Sequence, residues 1–506
     1  MSFRLHDALA FHARNTPDRL AIDSDTGRWT YDRLWSDARH IAAALHARGL
    51  GRGGRIAILA KNRGETLALL FGAALAGSVA VPLNHRLSAT ELDWILRDSD
   101  AALVFYEAEF ADRLGNWPSV DISHAADPAR WPPGTKPADP RDSGDYLQIY
   151  TSGTTGHPKG VVLSEGNALA QQAAISASLS ARLAPGDAYY QCLPLFHVGG
   201  IFTSLHGLFN GATLALRRDF SPRDALAFLS DPGPRHAVMV PTMIQACVAL
   251  PTVEGEVFPG LKTLMFGASP ISAELLRRAA LRFGCPFAQV YGMTESHSVI
   301  TVMNPEDYKE ALRGERPGLL AAAGRPVAGT ELLIVGPDGR EVPPGTTGEI
   351  IVRSGHIMSG YWRRPAETAE TLRDGFLHTG DAGRLDADGF LYIVDRIKDI
   401  IVSGGENISS LDVENALAAH PMVGEVAVIG VPHPHWGEAV HAVVVPRPGT
   451  APTAAELLDF CRGRLAGFKM PRGIDFAPAL PRNGAGKVLK RKLREPHWQD
   501  QARHVG

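Results

Sequence analysis

The run Thr151-Ser152-Gly153-Thr154-Thr155-Gly156-His157-Pro158-Lys159-Gly160 follows directly on a short apolar stretch, Tyr146-Leu147-Gln148-Ile149-Tyr150. Small hydroxylated residues and glycines leave backbone N–H groups unshielded, so a loop of this kind can wrap phosphate oxygens, and Lys159 adds a positive charge. The G-x-x-x-x-G-K-[ST] spacing is not met, so this is not a Walker A loop. A flexible surface turn is the bland alternative. The strand that feeds the loop and the lysine within it favour phosphate.

Four more clusters carry chemistry. In Tyr291-Gly292-Met293-Thr294-Glu295 a carboxylate stands beside a hydroxyl after an apolar strand, a set of hard oxygen donors suited to Mg²⁺. In His378-Thr379-Gly380-Asp381 an acidic residue follows a glycine and can accept from ribose hydroxyls. Asp395-Arg396-Ile397-Lys398-Asp399 is followed by Ser403-Gly404-Gly405-Glu406, and Asn483-Gly484-Ala485-Gly486-Lys487 presents one lysine on a glycine-rich loop. Alone, Glu295 reads rather as a solvated carboxylate and His378–Asp381 as an ordinary turn.

The elements that must hold these residues alternate between helix and strand in the first third. Thr30 caps a predicted helix from Tyr31 towards Arg48, with Leu34, Ala38, Ile41, Ala42 and Leu45 on one face and Gly49 ending it. A strand Arg55–Ala60 follows. The apolar run Leu67–Leu83, broken by Gly72, Gly77, Ser78 and Pro82, reads as a buried helix and strand and is too short to span a bilayer. This alternation implies βαβ units and a largely parallel sheet. Strands at Leu332–Val335 and Glu349–Arg353 flank Pro337-Asp338-Gly339, and Asp388-Gly389 separates Ala382–Leu385 from Phe390–Val394 as in a hairpin, so an antiparallel β subdomain is expected here. The last part reads as a separate α+β unit, with a capping box at Thr453–Glu456, strands at Gly424–Val431 and Val440–Pro446, and a boundary near Asp395–Asp399.

Composition narrows the function classes. The 506 residues carry 51 Lys plus Arg against 54 Asp plus Glu, a net charge of −3, which argues against a dedicated nucleic-acid binder. Hydrophobic residues at 45% are enough for a sizeable core and exclude a disordered or collagen-like chain. The 52 glycines and 36 prolines mean many loops, where binding chemistry concentrates. Cys192, Cys247, Cys285 and Cys461 make no C-x-x-C pair, so neither a disulfide scaffold nor a zinc site is indicated and a reducing, cytoplasmic setting is expected. The N-terminus shows no signal peptide. His433, His435 and His441 could be taken for a metal cluster, but an expected loop and strand start make an exposed turn the stronger reading. His206 and His236 read as structural. No feature encodes an oligomeric state.

Taken together and in this order, the five clusters resemble the adenylate-forming superfamily of acyl-CoA synthetases, adenylation domains and beetle luciferases. Pro194-Leu195-Phe196-His197 and Thr30-Tyr31 fit the same pattern, and the resemblance spans essentially the whole chain. It implies an α/β fold: a large AMP-binding N-terminal domain, residues 1–396, of parallel βαβ sheets with a β subdomain, and a small mobile α+β C-terminal domain, residues 397–506. It implies that the loop of Thr151, Ser152, Gly153, Thr154, Thr155, Gly156 and Lys159 closes over the β- and γ-phosphates of ATP. Gly267, Ala268 and Ser269, with Gln289, Tyr291 and Gly292, should line the adenine slot, and Thr294 should touch the α-phosphate. Glu295 should hold Mg²⁺, with Thr151 a weaker second ligand. Asp381 and Arg396 should bind the ribose hydroxyls. Lys398 matches a hinge, Lys487 the lysine that reaches the α-phosphate and the substrate carboxylate, and His197 a gate beside the acyl site. Gly404, Gly405 and Glu406 match the segment that meets the pantetheine arm of CoA. Two positions depart from the commoner pattern. His433-Pro434-His435 replaces a frequent acidic turn, and Ala485 a frequent Ser or Thr; neither carries assigned chemistry.

The implied activity is an AMP-forming acid–CoA ligase of fatty-acid metabolism type, an ATP-dependent acid–thiol ligase. The acyl pocket is expected among Phe196–Phe202, Val238–Gln245, Gly267–Ser269 and His297–Thr301. These stretches are apolar or small and contain no arginine, although Arg235 flanks one, so a monocarboxylic fatty or aryl acid is favoured over a dicarboxylate. Two alternatives stay open. One is transfer to a carrier-protein thiol or other acceptor, with any carrier expected as a separate chain. The other is a catalytically silent nucleotide-binding protein.

Overall fold

The structure, a computed structural model, describes residues 3–127, 144–151, 158–252, 256–482 and 488–498. Its contacts divide the chain into two compact units, residues 1–331 with 352–377, and residues 332–351 with 378–506.

The first unit is built on two sheets. In the nine-stranded sheet, Leu20–Ser24, Thr213–Leu216, Ala188–Gln191, Arg235–Met239, Leu261–Gly267 and Phe287–Tyr291 lie side by side and parallel, and antiparallel strands close its ends. In the seven-stranded sheet, Ala101–Tyr106, Arg55–Leu59, Val79–Pro82 and Asp145–Thr151 are parallel, and Lys159–Ser164 then returns antiparallel to Asp145–Thr151. Parallel neighbours need crossover helices. The helix Tyr31–Ala47 starts at Thr30, whose hydroxyl accepts from the Arg33 N–H, and ends before Gly49 at φ +71°. The apolar run becomes the helix Gly64–Ala76, buried at every position but Glu65, followed by the strand Val79–Pro82. A helix that is apolar on all sides must be packed on all sides. The two helices approach so closely that a Cβ on Gly72 would lie 2.6 Å from Ile41 Cγ2 and 3.0 Å from the Ala38 carbonyl oxygen.

The second unit contains the expected antiparallel strands. Phe376–Leu385 pairs with Leu391–Arg396 across a turn in which Gly389 has φ +78°. Beyond them a second sheet has the order Glu406–Ile408, Ile401–Ser403, Gly437–Pro446, Val423–His433, with Gly473–Phe476 parallel to Gly437–Pro446. Helices Ser410–Ala418 and Ala454–Cys461 cover it, and Ile401, Ile408, Val413, Leu417, Val440 and Leu457 form its core. The capping box at Thr453 and Glu456 is present. His441 differs from expectation. It sits in the middle of Gly437–Pro446, not at a strand start, because the strand begins at the Gly437 turn.

No helix among the described residues is long and apolar enough to cross a membrane. The tight contact at Gly72 yields a direct expectation. Gly72→Ala should destabilise the first unit by about 1–3 kcal/mol through overpacking, read as an earlier chemical-denaturation midpoint.

Candidate active site

Parallel strands present their carboxyl ends to ligands. At that end of the nine-stranded sheet Gly267 and Val290 lie in register, so Gly267-Ala268-Ser269 and Tyr291-Gly292 emerge side by side. Both glycines are required by close crossings. A Cβ on Gly267 would lie 2.6 Å from the Val290 carbonyl oxygen, and one on Gly292 2.1 Å from that of Ser298. Ala268 is left-handed at φ +68°, as are His297 at +51° and Ser298 at +95°. Such conformations in residues with a side chain cost about 1–3 kcal/mol each and persist only where neighbours enforce them.

The neighbours here are specific. Thr294–Ser296 forms a single 3-10 turn, and three consecutive residues are each tied to another part of the first unit. Tyr361 donates its phenol hydrogen to Glu295 Oε1 at 2.8 Å, and the Glu295 carbonyl accepts from the Met358 N–H at 2.8 Å. His356 Nδ1 donates to the Ser296 carbonyl at 2.9 Å, and Tyr146 is hydrogen-bonded to His297 Nε2 at 2.6 Å. Burial pushes the His297 imidazole down to about 4, so it is neutral near pH 7.

Tyr361 also connects Glu295 to the phosphate-type loop. Gly360–Tyr361 pairs with Val161–Val162, and Lys159 Nζ lies 5.1 Å from the centroid of the Tyr361 ring. Thr151 is in register with Lys159 on the facing strand, and its hydroxyl lies 3.5 Å from the Lys159 carbonyl. Lys159, Tyr361 and Glu295 therefore meet, with Thr151 on the same hairpin. Ser152, Gly153, Thr154, Thr155 and Gly156 lie outside the described residues, as does Lys487.

The hairpin stands on a buried polar ladder. Arg55 Nε donates to Gln148 Oε1 at 2.9 Å, Gln148 donates to Tyr150 at 3.0 Å, and Tyr150 donates to Asp98 at 2.7 Å. Asp98 also accepts from Arg364, and the Arg55 guanidinium covers the Trp362 ring at 3.4 Å. Gly160 lies over this ladder, where a Cβ would come within 2.7 Å of Gln148 Nε2.

Glu295 fits Mg²⁺. It is 7% exposed, and among the described residues no lysine or arginine forms an ion pair with it. A buried carboxylate without an ion-pair partner among the described residues is a site that a divalent cation can complete.

Elsewhere in this unit, Gln289 accepts a hydrogen bond from the buried Tyr308 hydroxyl. His197 stands at the N-cap position of the helix Val198–Phe209, its ring tilted 57° to that of Phe196 with centroids 4.5 Å apart, and is pushed down to about 4 by burial, then by Arg86 and His85. The turn before it is held by Asn62, whose side chain accepts from the Leu195 N–H and donates to the Leu193 and Arg217 carbonyls. A Cβ on Gly200 would strike the Pro194 carbonyl oxygen at 2.2 Å. Arg235 is paired with Asp231 at 2.5 Å. His206 and His236 are buried and bonded to Gln172 and Asp187, at 3.2 and 3.0 Å. A cleft of about 430 Å³ opens at the opposite, amino ends of the parallel strands, between Arg182, His236 and Lys262, away from Glu295 and Lys159. The thiols are shielded: burial pushes Cys192 and Cys285 up to about 12 and Cys247 to about 11, and all four cysteines are free.

In the second unit Asp381 and Arg396 face each other in register and form an ion pair at 2.7 Å, Asp381 being buried. Desolvation, then the Arg396 guanidinium, lowers the Lys398 pKa. The neighbouring Asp399 is paired with Arg494 at 2.5 Å. Gly404 and Gly405, at φ +60° and +85°, form the two-residue tip of a hairpin closed by Ser403 and Glu406. Two consecutive positive φ values are those of a type I′ turn.

Sequence reasoning missed Tyr361, Asn62 and the Tyr146–His297 and His356–Ser296 ties. The Gly-Tyr-Trp at 360–362, a glycine before two aromatics, was the available signal for the first.

The sequence profile of the AMP-binding enzyme family matches residues 9–362, and that of the AMP-binding enzyme C-terminal domain matches residues 412–487. The chain is similar to the fatty acid–[acyl-carrier-protein] ligase ScoC of Streptomyces coeruleorubidus, 38% identical over 98% of this chain and 97% of that protein. It is also similar to the feruloyl-CoA synthase of an Amycolatopsis species, 38% identical over 95% and 96%. Among solved structures it resembles the o-succinylbenzoate CoA synthetase of Bacillus subtilis in complex with its acyl-adenylate intermediate, with a TM-score of 0.86, 30% identity and 99% of each chain covered. The same enzyme in complex with ATP and magnesium ion gives 0.83, 30% identity, and 96% and 98% coverage. The chain therefore belongs to the AMP-binding family of the adenylate-forming superfamily and is an ATP-dependent acid–thiol ligase.

The neutral histidines set a pH dependence. His206 is pushed from 6.5 down to about 4, by burial and then by His236. Between those values the unfolded chain binds the extra proton, so stability rises with pH across this window and is lost as pH falls through it. The urea midpoint should fall as pH is lowered from about 6.5 towards 4, and His206→Gln should flatten that fall.

Proposed function

We propose that this protein activates a monocarboxylic fatty or aryl acid with MgATP to acyl-AMP and pyrophosphate, then passes the acyl group to the thiol of CoA. The observation that carries the reading is the meeting of Lys159, Tyr361 and Glu295 at the carboxyl ends of the parallel strands. A carboxylate attacking the α-phosphorus of ATP brings two anions together. Lys159 and Lys487 offset that repulsion, and Thr151 with Glu295 holds Mg²⁺. Bound Mg²⁺ supplies charge stabilisation on the phosphates. Tyr361 orients the Glu295 carboxylate.

In this reading Ser152, Gly153, Thr154, Thr155 and Gly156 wrap the phosphates. Gly267, Ala268, Ser269, Gln289, Tyr291 and Gly292 line the adenine slot, and Thr294 touches the α-phosphate. Asp381 and Arg396 bind the ribose, His197 gates the acyl site, and Gly404, Gly405 and Glu406 meet the CoA arm. The domain boundary falls at 396/397 and the C-terminal domain turns about Lys398 between half-reactions. A monocarboxylic acid is supported by Arg235 being engaged with Asp231 and by the buried apolar Ile201, Val299 and Ile300. A cytoplasmic setting is supported by the free thiols. Likeness to a fatty acid–carrier-protein ligase favours a second reading, in which the acceptor thiol belongs to a carrier protein.

The test is acid-dependent pyrophosphate release across a panel of fatty and aryl acids, with CoA or a carrier protein added in turn. Release without any acid would mean an ATPase and overturn the proposal. Lys487→Ala should lower adenylation by roughly 10²–10³ while sparing thiolysis of preformed acyl-AMP. Equal loss in both would remove its assigned role. Tyr361→Phe keeps the ring facing Lys159 and removes one hydrogen bond to a charged group. It should lower adenylation by roughly tenfold to a hundredfold and raise the Mg²⁺ concentration needed for half-maximal rate.

A further inference from the structure

We propose that His441, Asp475 and His497 form a binding site for a zinc-type divalent cation in the second unit. One ligand atom from each of the three lies within 4.8 Å of the others. His441 Nε2 is 2.9 Å from Asp475 Oδ2, and the His441 and His497 ring centroids are 5.0 Å apart.

The fold builds this grouping from three separate elements. His441 is in the middle of Gly437–Pro446, and Asp475 is on the parallel neighbour Gly473–Phe476. Asp475 is in register with Val443, two residues beyond His441, so both side chains stand on the same face of the sheet. His497 comes from the turn Glu495–His497 that follows the helix Lys490–Arg494. That turn is anchored on both sides, by the Arg494–Asp399 ion pair and by the Trp498 indole N–H donating to the Gly430 carbonyl at 3.1 Å. The residue in register with His441 is Gly473, where a Cβ would lie 2.5 Å from His441 Nδ1. The absence of a side chain there leaves room for the imidazole.

Two imidazoles and one carboxylate with an open fourth position is a donor set that Zn²⁺ takes and Mg²⁺, which prefers oxygen alone, does not. Asp475 and His497 are exposed, so the cation has an entry path. A simple His–Asp hydrogen bond accounts for His441 and Asp475 but not for the second imidazole. Asp475 and His497 also bracket the stretch of chain that carries Lys487. A cation held here closes that stretch into a loop and lowers the entropy of its ends. The site stands independently of the substrate and acceptor proposed above.

The experiment uses the tag-free, full-length chain, stripped with a chelator and free of nucleotide. Zn²⁺ binding is measured by competition with a chromogenic chelator, and Co²⁺ binding by its visible absorption. One ion per chain is expected. His441→Ala and His497→Ala should each weaken binding by at least about tenfold, Asp475→Asn should weaken it, and His433→Ala should leave it unchanged. Zn²⁺ should also slow proteolysis between residues 476 and 496 in the wild type alone. Should a variant fold poorly by circular dichroism, the histidine NMR signals of the wild type read the same site, with those of His441 and His497 expected to shift on adding Zn²⁺. Absent binding, unchanged binding in both His→Ala variants, loss in His433→Ala, or shifts confined to other histidines would overturn the proposal.

Discussion

The hydrogen bond from Tyr361 to Glu295 is one of three adjacent ties that fix the candidate active site. Glu295, Ser296 and His297 follow one another in the chain, and each is held from outside its own turn, by Tyr361, His356 and Tyr146 respectively. The turn needs that support because His297 and Ser298 adopt left-handed backbone conformations that neither side chain favours. The same stretch lets the chain pass within van der Waals contact of Gly292. Remove the ties and the Glu295 carboxylate has no fixed direction.

A second consequence is that the two sheets of the first unit are joined at the site itself. Glu295 follows the last parallel strand of the nine-stranded sheet, whereas Tyr361 and Tyr146 belong to the seven-stranded one. The arrangement of Lys159 and Glu295 thus depends on two separately built sheets, and the Arg55–Gln148–Tyr150–Asp98 ladder beneath the hairpin fixes the side that carries Lys159. Nearly all of this support is buried polar chemistry, which is directional in a way that apolar packing is not.

Much of this was legible in the sequence because it rests on local signals. Thr30, Gly49 and Thr453 mark helix ends through hydrogen bonds and φ values that depend on neighbours a few residues away. The phosphate-type loop and Glu295 stand out by residue type alone. Tyr361 was missed because its role comes from an antiparallel edge pairing with Val161, far away in the chain, which the Gly-Tyr-Trp at 360–362 does not itself announce. The spatial neighbours of His441 were hidden for a related reason. Proximity in sequence suggested His433 and His435 as companions, yet His433 stacks on Trp436, and the strand pairing brings Asp475 to His441.

The shielding of the thiols has a bearing on the chemistry of the family. Acyl-adenylates are reactive towards sulfur, and the attacking species is the thiolate. Cys192, Cys247 and Cys285 are held almost wholly protonated near neutral pH by burial. These three positions therefore present the activated product with little thiolate.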